Sequence, residues 1–501
     1  MTGPDRLFID RLLARQPDAS RISLRWGTEG VLDQGRSAAI RDGFAGWLAQ
    51  IGIRRGDRIA FVLPKGPVAA LGILAAFRAG AVAIVLDSEA PAPRLDQMIT
   101  DFVPRLVVTT PDLTAALSSR AEHWLSLASD AYSEMPFAAP RQPAVLHADS
   151  PALLLTTSGS TGRPKGVLLS HGNLSAFIDW ATATFDLTAA DRFVSLAPFH
   201  FDLSVLDLYA SQMIGAEVYL ASAAEARMPG SVARITAASR PTVLYAVPTQ
   251  LQMLATLGFF AGSPGAGALR WVLSAGEVLT GKTARAILGG EGAPRLANLY
   301  GPTETNVVAC HIVDVVPESE DERLPIGTLR DHVKAQPVSG AADATLVVDG
   351  PTVMLGYVTG PQDPPSEPTP RRYDTGDLVR RSADGLLHFC GRKDRQIKLR
   401  GFRIELEEIE TVALAHPGVA AAVAVVINAA GPRPQLVLAV IRADGSLEAS
   451  DLLAVLKDAL PRSAIPDRIA FRAELPQSST GKTDRVALRD QIEGDHGAKK
   501  F

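Results

Sequence analysis

Short apolar β-runs alternate with Ala- and Leu-rich helical stretches along most of the chain. Four runs set the pattern: RIAFVLP at 58–64, GAVAIVLD at 80–87, RLVVTT at 105–110 and RFVSLAP at 192–198. Between such runs lie stretches of helical composition, among them Val68–Arg78 and Gln250–Leu257. Strand–helix alternation of this kind predicts an α/β protein with layered, mostly parallel sheets. The most apolar stretch, Pro67 to Leu86, is split by Arg78 and Gly80 into a helical piece and a β-branched piece. It therefore reads as a buried helix followed by a strand, not as a membrane span of about 20 residues.

The pattern changes towards the C-terminus. Residues 359–372, TGPQDPPSEPTPRR, hold five prolines in fourteen residues and predict an exposed loop or domain-edge connection. Beyond Gly391 the chain reads strand, turn, strand, then a helix from about Glu405. Residues 394–501 have the size of one small α+β domain, leaving 1–393 as a large N-terminal body built of subdomains. The tail from Glu493 is polar and is expected to fray.

Composition narrows the class. Across 501 residues, 47% are hydrophobic and 21% charged, which excludes a disordered or fibrous protein. Lys plus Arg number 50 against 54 Asp plus Glu, so no general electrostatic drive favours nucleic acid or anionic membrane as a partner. Cys310 and Cys390 alone cannot form a disulfide framework or a cysteine-rich metal site. Asp5, Arg6, Asp10, Arg11 and Arg15 interrupt any signal-peptide core at the N-terminus. A cytoplasmic enzyme is expected.

The strongest local feature is PALLLTTSGSTGRPKGVLLSHGNL, residues 151–174. An apolar strand, Ala152–Leu155, runs into Thr156, Thr157, Ser158, Gly159, Ser160, Thr161 and Gly162, then Lys165 and Gly166. Hydroxyl and glycine residues in a row offer N–H and O–H donors without bulk, as cradling phosphate oxygens requires. The spacing is not that of a Walker loop.

This loop resembles the signature of the adenylate-forming superfamily: acyl-CoA synthetases, luciferases and the adenylation domains of nonribosomal peptide synthesis. NLYGPTET at 298–305, YDTGDL at 373–378, GRKDRQIKLRGFRIE at 391–405 and SSTGKTDRVAL at 478–488 agree in order. The resemblance implies a large N-terminal domain, 1–393, and a small mobile C-terminal domain, 394–501. It also implies conversion of a carboxylate and ATP, with Mg²⁺, into an acyl-adenylate and pyrophosphate, followed by transfer to a thiol. Two anions must then meet, so a cation near the α-phosphate is needed. Lys482 matches the lysine that supplies it.

Further roles follow from the same resemblance. Glu304 matches the Mg²⁺ ligand, and Thr303 is expected to reach the α-phosphate. Tyr300, beside Gly301, resembles the residue that stacks on adenine, Asn298 the one that reads its amino edge. Asp377 and Arg392 match the ribose-binding pair. Asp394 falls at the hinge; Lys398 and Gly401 lie in the loop that enters the site for thiolation. In AADATLVVDGPTVMLGY, 341–357, the family's usual glutamate is absent and no function is assigned. His171 and His200 are read as packing or neighbouring residues.

Asp202 matches the aspartate with which amino-acid-activating members hold the substrate ammonium; the bland alternative is a helix N-cap before Leu203–Ala210. Asp202 and Leu206, four apart, would share a helix face. By resemblance the pocket is completed by Leu203, Tyr245, Leu273, Ala275, Gly276, Leu299, Val307 and Val308. A wall so apolar would strand charged or amide side chains without partners. A small apolar amino acid is therefore expected, and the set is very similar to that of free-standing prolyl-adenylate ligases of pyrrole-forming pathways, which implies L-proline. No carrier motif follows Lys482, so the aminoacyl group is expected to pass to the phosphopantetheine of a separate peptidyl carrier protein. A D-alanine–carrier ligase is the nearest rival, an acyl- or aryl-CoA ligase a weaker one, and a non-catalytic scaffold of the same fold the alternative from another class.

Overall fold

The computed structural model describes residues 6–157, 164–262, 265–331, 333–335, 343–361, 371–393, 396–428, 434–443, 445, 447–477 and 483–497. Two compact units form: Met1–Ser88 with Ile99–Thr156 and Gly166–Lys393, and Glu89–Met98 with Thr157–Lys165 and Asp394–Phe501.

The four apolar runs are strands, Arg58–Val62, Val82–Val85, Leu106–Thr109 and Arg192–Ser195, each paired in parallel with its neighbours. The first three belong to a seven-stranded sheet, in which Val82–Val85 also pairs in parallel with Pro151–Thr157. Arg192–Ser195 lies in a nine-stranded sheet, between Val243–Ala246 and Glu217–Leu220; Trp271–Ala275 and Arg295–Tyr300 extend it in parallel. Helix Pro67–Ala79 starts on proline, whose missing N–H is not needed in the first turn, and stops at Gly80 in the left-handed region at φ 74°. That glycine is the break read from the sequence.

Strands buried on both faces explain the continuous apolar runs. Their two-residue period sends alternate side chains into different cores. Phe193, Val243, Tyr245, Leu273, Ala275 and Leu299 enter a core that both sheets share. Val194, Leu244, Ala246, Val272 and Leu296 pack instead under helices Pro229–Ser239, Pro248–Thr256 and Gly281–Leu288. A four-stranded antiparallel sheet, Lys334–Ala335, Ala344–Asp349, Arg372–Arg381 and Leu387–Arg392, has its own small core with Tyr300 and Val308.

In the C-terminal unit, hairpin Gln396–Leu399/Phe402–Glu405 leads into helix Leu406–Leu414, the order read from the sequence. Sheet Val419–Ile427/Gln435–Arg442/Arg468–Phe471 carries the unit's core. One expectation fails: the chain does not fray from Glu493, because helix Arg485–Gly497 runs through it. Its first residue is anchored by two hydrogen bonds from Arg485 to the Glu410 carboxylate, at 2.5 and 2.8 Å. Among the described residues, no helix is long and apolar enough to cross a membrane.

Candidate active site

Asp377 faces Arg392 across adjacent strands and is buried. One carboxylate oxygen pairs with the Arg392 guanidinium; the other accepts from the Tyr300 hydroxyl at 2.5 Å. Burial first, then the Asp377 charge, pushes the Tyr300 phenol well above its ordinary range, so it stays a donor. A carboxylate already held between a cation and a hydroxyl can exchange that hydroxyl for a ribose hydroxyl at little electrostatic cost. Asn298, two residues before Tyr300 on the same strand, donates its amide to the Pro325 carbonyl at 2.8 Å, which fixes the amide plane.

The turn after Tyr300 is built around Gly301. A Cβ there would lie 1.7 Å from the Asn306 carbonyl oxygen, so only glycine lets the chain close, while Asn306 takes the left-handed conformation at φ 50°. Thr303 sits in this turn, and Glu304 is fully buried beside it. The Glu304 carboxylate accepts from the Tyr357 hydroxyl at 2.7 Å, and that hydroxyl lies 3.1 Å from that of Tyr373. Among the described residues no cluster of three His, Cys, Asp or Glu side chains forms. A single oriented carboxylate suits Mg²⁺, which takes one or two carboxylates and completes its shell with phosphates and water.

Asp202 lies in a turn before the helix. The N-cap position belongs to Ser204, whose hydroxyl donates to the Phe201 carbonyl at 2.7 Å, so Asp202 is not the helix cap. The helical face argued from four-residue spacing also needs correction: Val205–Ala210 is a π-helix, and Asp202 and Leu203 precede it. Tertiary packing nevertheless brings the expected residues together. Leu203, Leu206, Tyr245, Leu273, Ala275, Leu299 and Val307 share one core cluster. Burial, then the charges of Asp202 and Asp207, drives the Tyr245 phenol well above its usual range. Gly276 ends strand Trp271–Ala275 at φ 93°. Val308 packs with Tyr300 in the other core, apart from the cluster that holds Val307.

Thr157 ends strand Pro151–Thr157 and Lys165 begins strand Lys165–Ser170. Lys398 pairs with Arg403 in the C-terminal hairpin, and Gly401 makes its turn at φ 82°. Ser158, Gly159, Ser160, Thr161, Gly162, Asp394 and Lys482 lie outside the described residues. His171 is a core residue, stacked on Phe8, and the His200 ring packs edge-on against Phe201.

Three residues escaped the sequence reading. Tyr357 ends the motif to which no function was assigned. Asp207 is a lone acid in the apolar run SVLDLYASQM, and Lys65 a lone base in VLPKGPV; a single charge inside an apolar run was the signal.

The model of the AMP-binding enzyme family matches residues 38–358, and that of the AMP-binding enzyme C-terminal domain matches 408–482. A protein of Pseudomonas fluorescens named L-proline--[L-prolyl-carrier protein] ligase is 36% identical over 475 residues, spanning 90% of this chain and 92% of that protein. Its namesake from Streptomyces coelicolor is 35% identical over 486 residues, with 90% and 91% covered. Among solved structures, the amide bond synthetase McbA from Marinactinospora thermotolerans superposes with a TM-score of 0.83 at 22% identity, over 97% of this chain and all of that one (100%). The fused adenylation–PCP di-domain NpsA-ThdA from Klebsiella oxytoca gives 0.78 at 22% identity, covering 93% of each. At such identity the structures speak to the fold alone.

Proposed function

The chain belongs to the AMP-binding enzyme family and is a ligase acting through an acyl-adenylate, and from that premise we propose that it activates L-proline for a separate peptidyl carrier protein. The observation that carries the proposal is similarity at 35–36% identity along nine-tenths of the chain to two ligases named for that reaction. The site agrees with it. Asp202 offers one carboxylate for the substrate's ammonium, and Tyr245 with the surrounding leucines offers an apolar wall of side chains from a shared core.

In this reading each residue has a limited task. Asp202 binds the ring ammonium, orienting the proline carboxylate towards the α-phosphate of ATP. Asp377 accepts the ribose hydroxyls, with Arg392 holding its charge. Glu304 would hold Mg²⁺, which supplies charge neutralisation at the phosphates, and Tyr357 keeps that carboxylate oriented. Lys482 bridges substrate carboxylate and α-phosphate, where negative charge gathers as pyrophosphate leaves. Lys398 and Gly401 serve the second step, in which the carrier's thiol attacks the mixed anhydride and AMP departs.

Amino-acid-dependent pyrophosphate exchange across the twenty amino acids tests the proposal. L-Proline is expected to give the highest rate, with other small apolar amino acids slower, since one methylene is discriminated by only about 1–3 kcal/mol. Strong exchange with D-alanine in a parallel assay, and none with L-proline, would overturn it.

A further inference from the structure

We infer that Lys65 is a positioning residue of the amino-acid pocket: its ammonium fixes the carboxyl end of strand Arg192–Ser195 and the segment leading to Asp202. The inference rests on the reading of Asp202 as the ammonium clamp.

Lys65 stands between strand Arg58–Val62 of the seven-stranded sheet and helix Pro67–Ala79. Its acceptors lie at the end of a strand in the other sheet. The ammonium donates to the Ser195 carbonyl at 2.6 Å, the Ser195 hydroxyl at 2.7 Å and the Ala197 carbonyl at 2.7 Å, using all three of its protons. The Phe199 ring centroid is 5.3 Å away, within cation–π range. Ser195 is the direct cross-strand partner of Tyr245. Beyond Phe199, the Ser204 hydroxyl donates to the Phe201 carbonyl at 2.7 Å, its one proton shared at most weakly with the Phe199 carbonyl at 3.3 Å, closing the turn that holds Asp202. Lys65 thus ties down the stretch between the pocket's phenol and its carboxylate.

Asp207, on the π-helix that follows, is fully buried. Burial raises its carboxyl and lowers the Lys65 ammonium, and each opposes the other's shift by its charge. Burying an ammonium is a poor route to stability, since apolar side chains of equal volume often hold a core as well. What apolar side chains cannot do is bind three oxygens at the end of a strand. That points to geometry, not stability, as the purpose of the charge.

The test is steady-state pyrophosphate exchange by the full chain carrying Lys65→Met or Ser195→Ala, with unfolding monitored by circular dichroism. Lys65→Met is expected to raise the KM for the amino acid about ten-fold or more, with the KM for ATP within about two-fold, as loss of charged hydrogen bonds implies. Ser195→Ala keeps the Lys65 ammonium and removes one acceptor; its amino-acid KM should rise about three-fold with the same split. If Lys65→Met does not fold, Ser195→Ala decides. Amino-acid KM values equal to the parent's, or ATP and amino-acid KM values rising together, would overturn the inference. The proline assignment fails separately: it is judged on the parent alone, and the Lys65 ratio is read with whichever amino acid the parent activates.

Discussion

His171 sits in the core shared by the two sheets, its ring 6.2 Å from Phe8 in a stack and 5.6 Å edge-on from Phe77. Burial lowers its pKa to about 4 from an ordinary 6.5, so it folds in the neutral form. The unfolded chain takes up this proton first as pH falls. Stability from His171 is therefore complete above about pH 6.5 and declines towards pH 4, by about 2 kcal/mol between pH 7 and pH 5. His171→Phe should remove that part of the pH dependence, as read from urea midpoints of parent and variant at the two pH values. An unchanged difference between midpoints would refute it. The neighbouring functional residues differ in how much of them the sequence disclosed. Asp377, Arg392 and Glu304 stand in motifs and were legible by type and order. Tyr357, the partner of Glu304, and Lys65, the partner of Ser195 and Ala197, come from remote parts of the chain, and only tertiary structure reveals such pairings.

Elements show the same division. Parallel strands announce themselves because burial on both faces demands continuous apolar runs, and helix Pro67–Ala79 carries its own start and stop residues. The π-helix at Val205–Ala210 was read as an ordinary helical pattern, since one short apolar run fits either repeat and packing decides. Val307 and Val308, adjacent in sequence and read as one wall, lie in different cores. The turn they follow is the most tightly specified element of the site. Gly301→Ala would drive a methyl into the Asn306 carbonyl, 1.7 Å away, and the backbone carrying Thr303 and Glu304 would have to shift. A stability loss of about 3 kcal/mol is expected, with a raised KM for ATP. A melting temperature and ATP KM equal to the parent's would show that the turn can yield.

At the scale of the whole molecule, two units each carry a hydrophobic core, and the proposed chemistry is divided between them. Asp202, Glu304, Asp377 and Arg392 belong to the larger unit, Lys398 and Gly401 to the smaller one, and Lys482 falls in the smaller unit's stretch of sequence. If Lys482 serves adenylation alone, Lys482→Ala should slow pyrophosphate exchange at least ~100-fold, as loss of a group facing developing charge does. Transfer from supplied prolyl-adenylate to the carrier should fall far less. Equal losses in both half-reactions would contradict that division.

The side chains assigned to the substrate wall are the same ones that weld the two sheets together: Leu206, Leu273 and Leu299 are at most 2% exposed. Recognition and cohesion therefore draw on one set of atoms. Enlarging the pocket by Leu→Ala at any of these places would remove packing worth about 2–5 kcal/mol. That is a large fraction of the margin by which a protein outlasts its unfolded state. New substrate preferences in this scaffold should be reachable mainly from backgrounds first stabilised elsewhere, so that evolvability is rationed by thermal reserve.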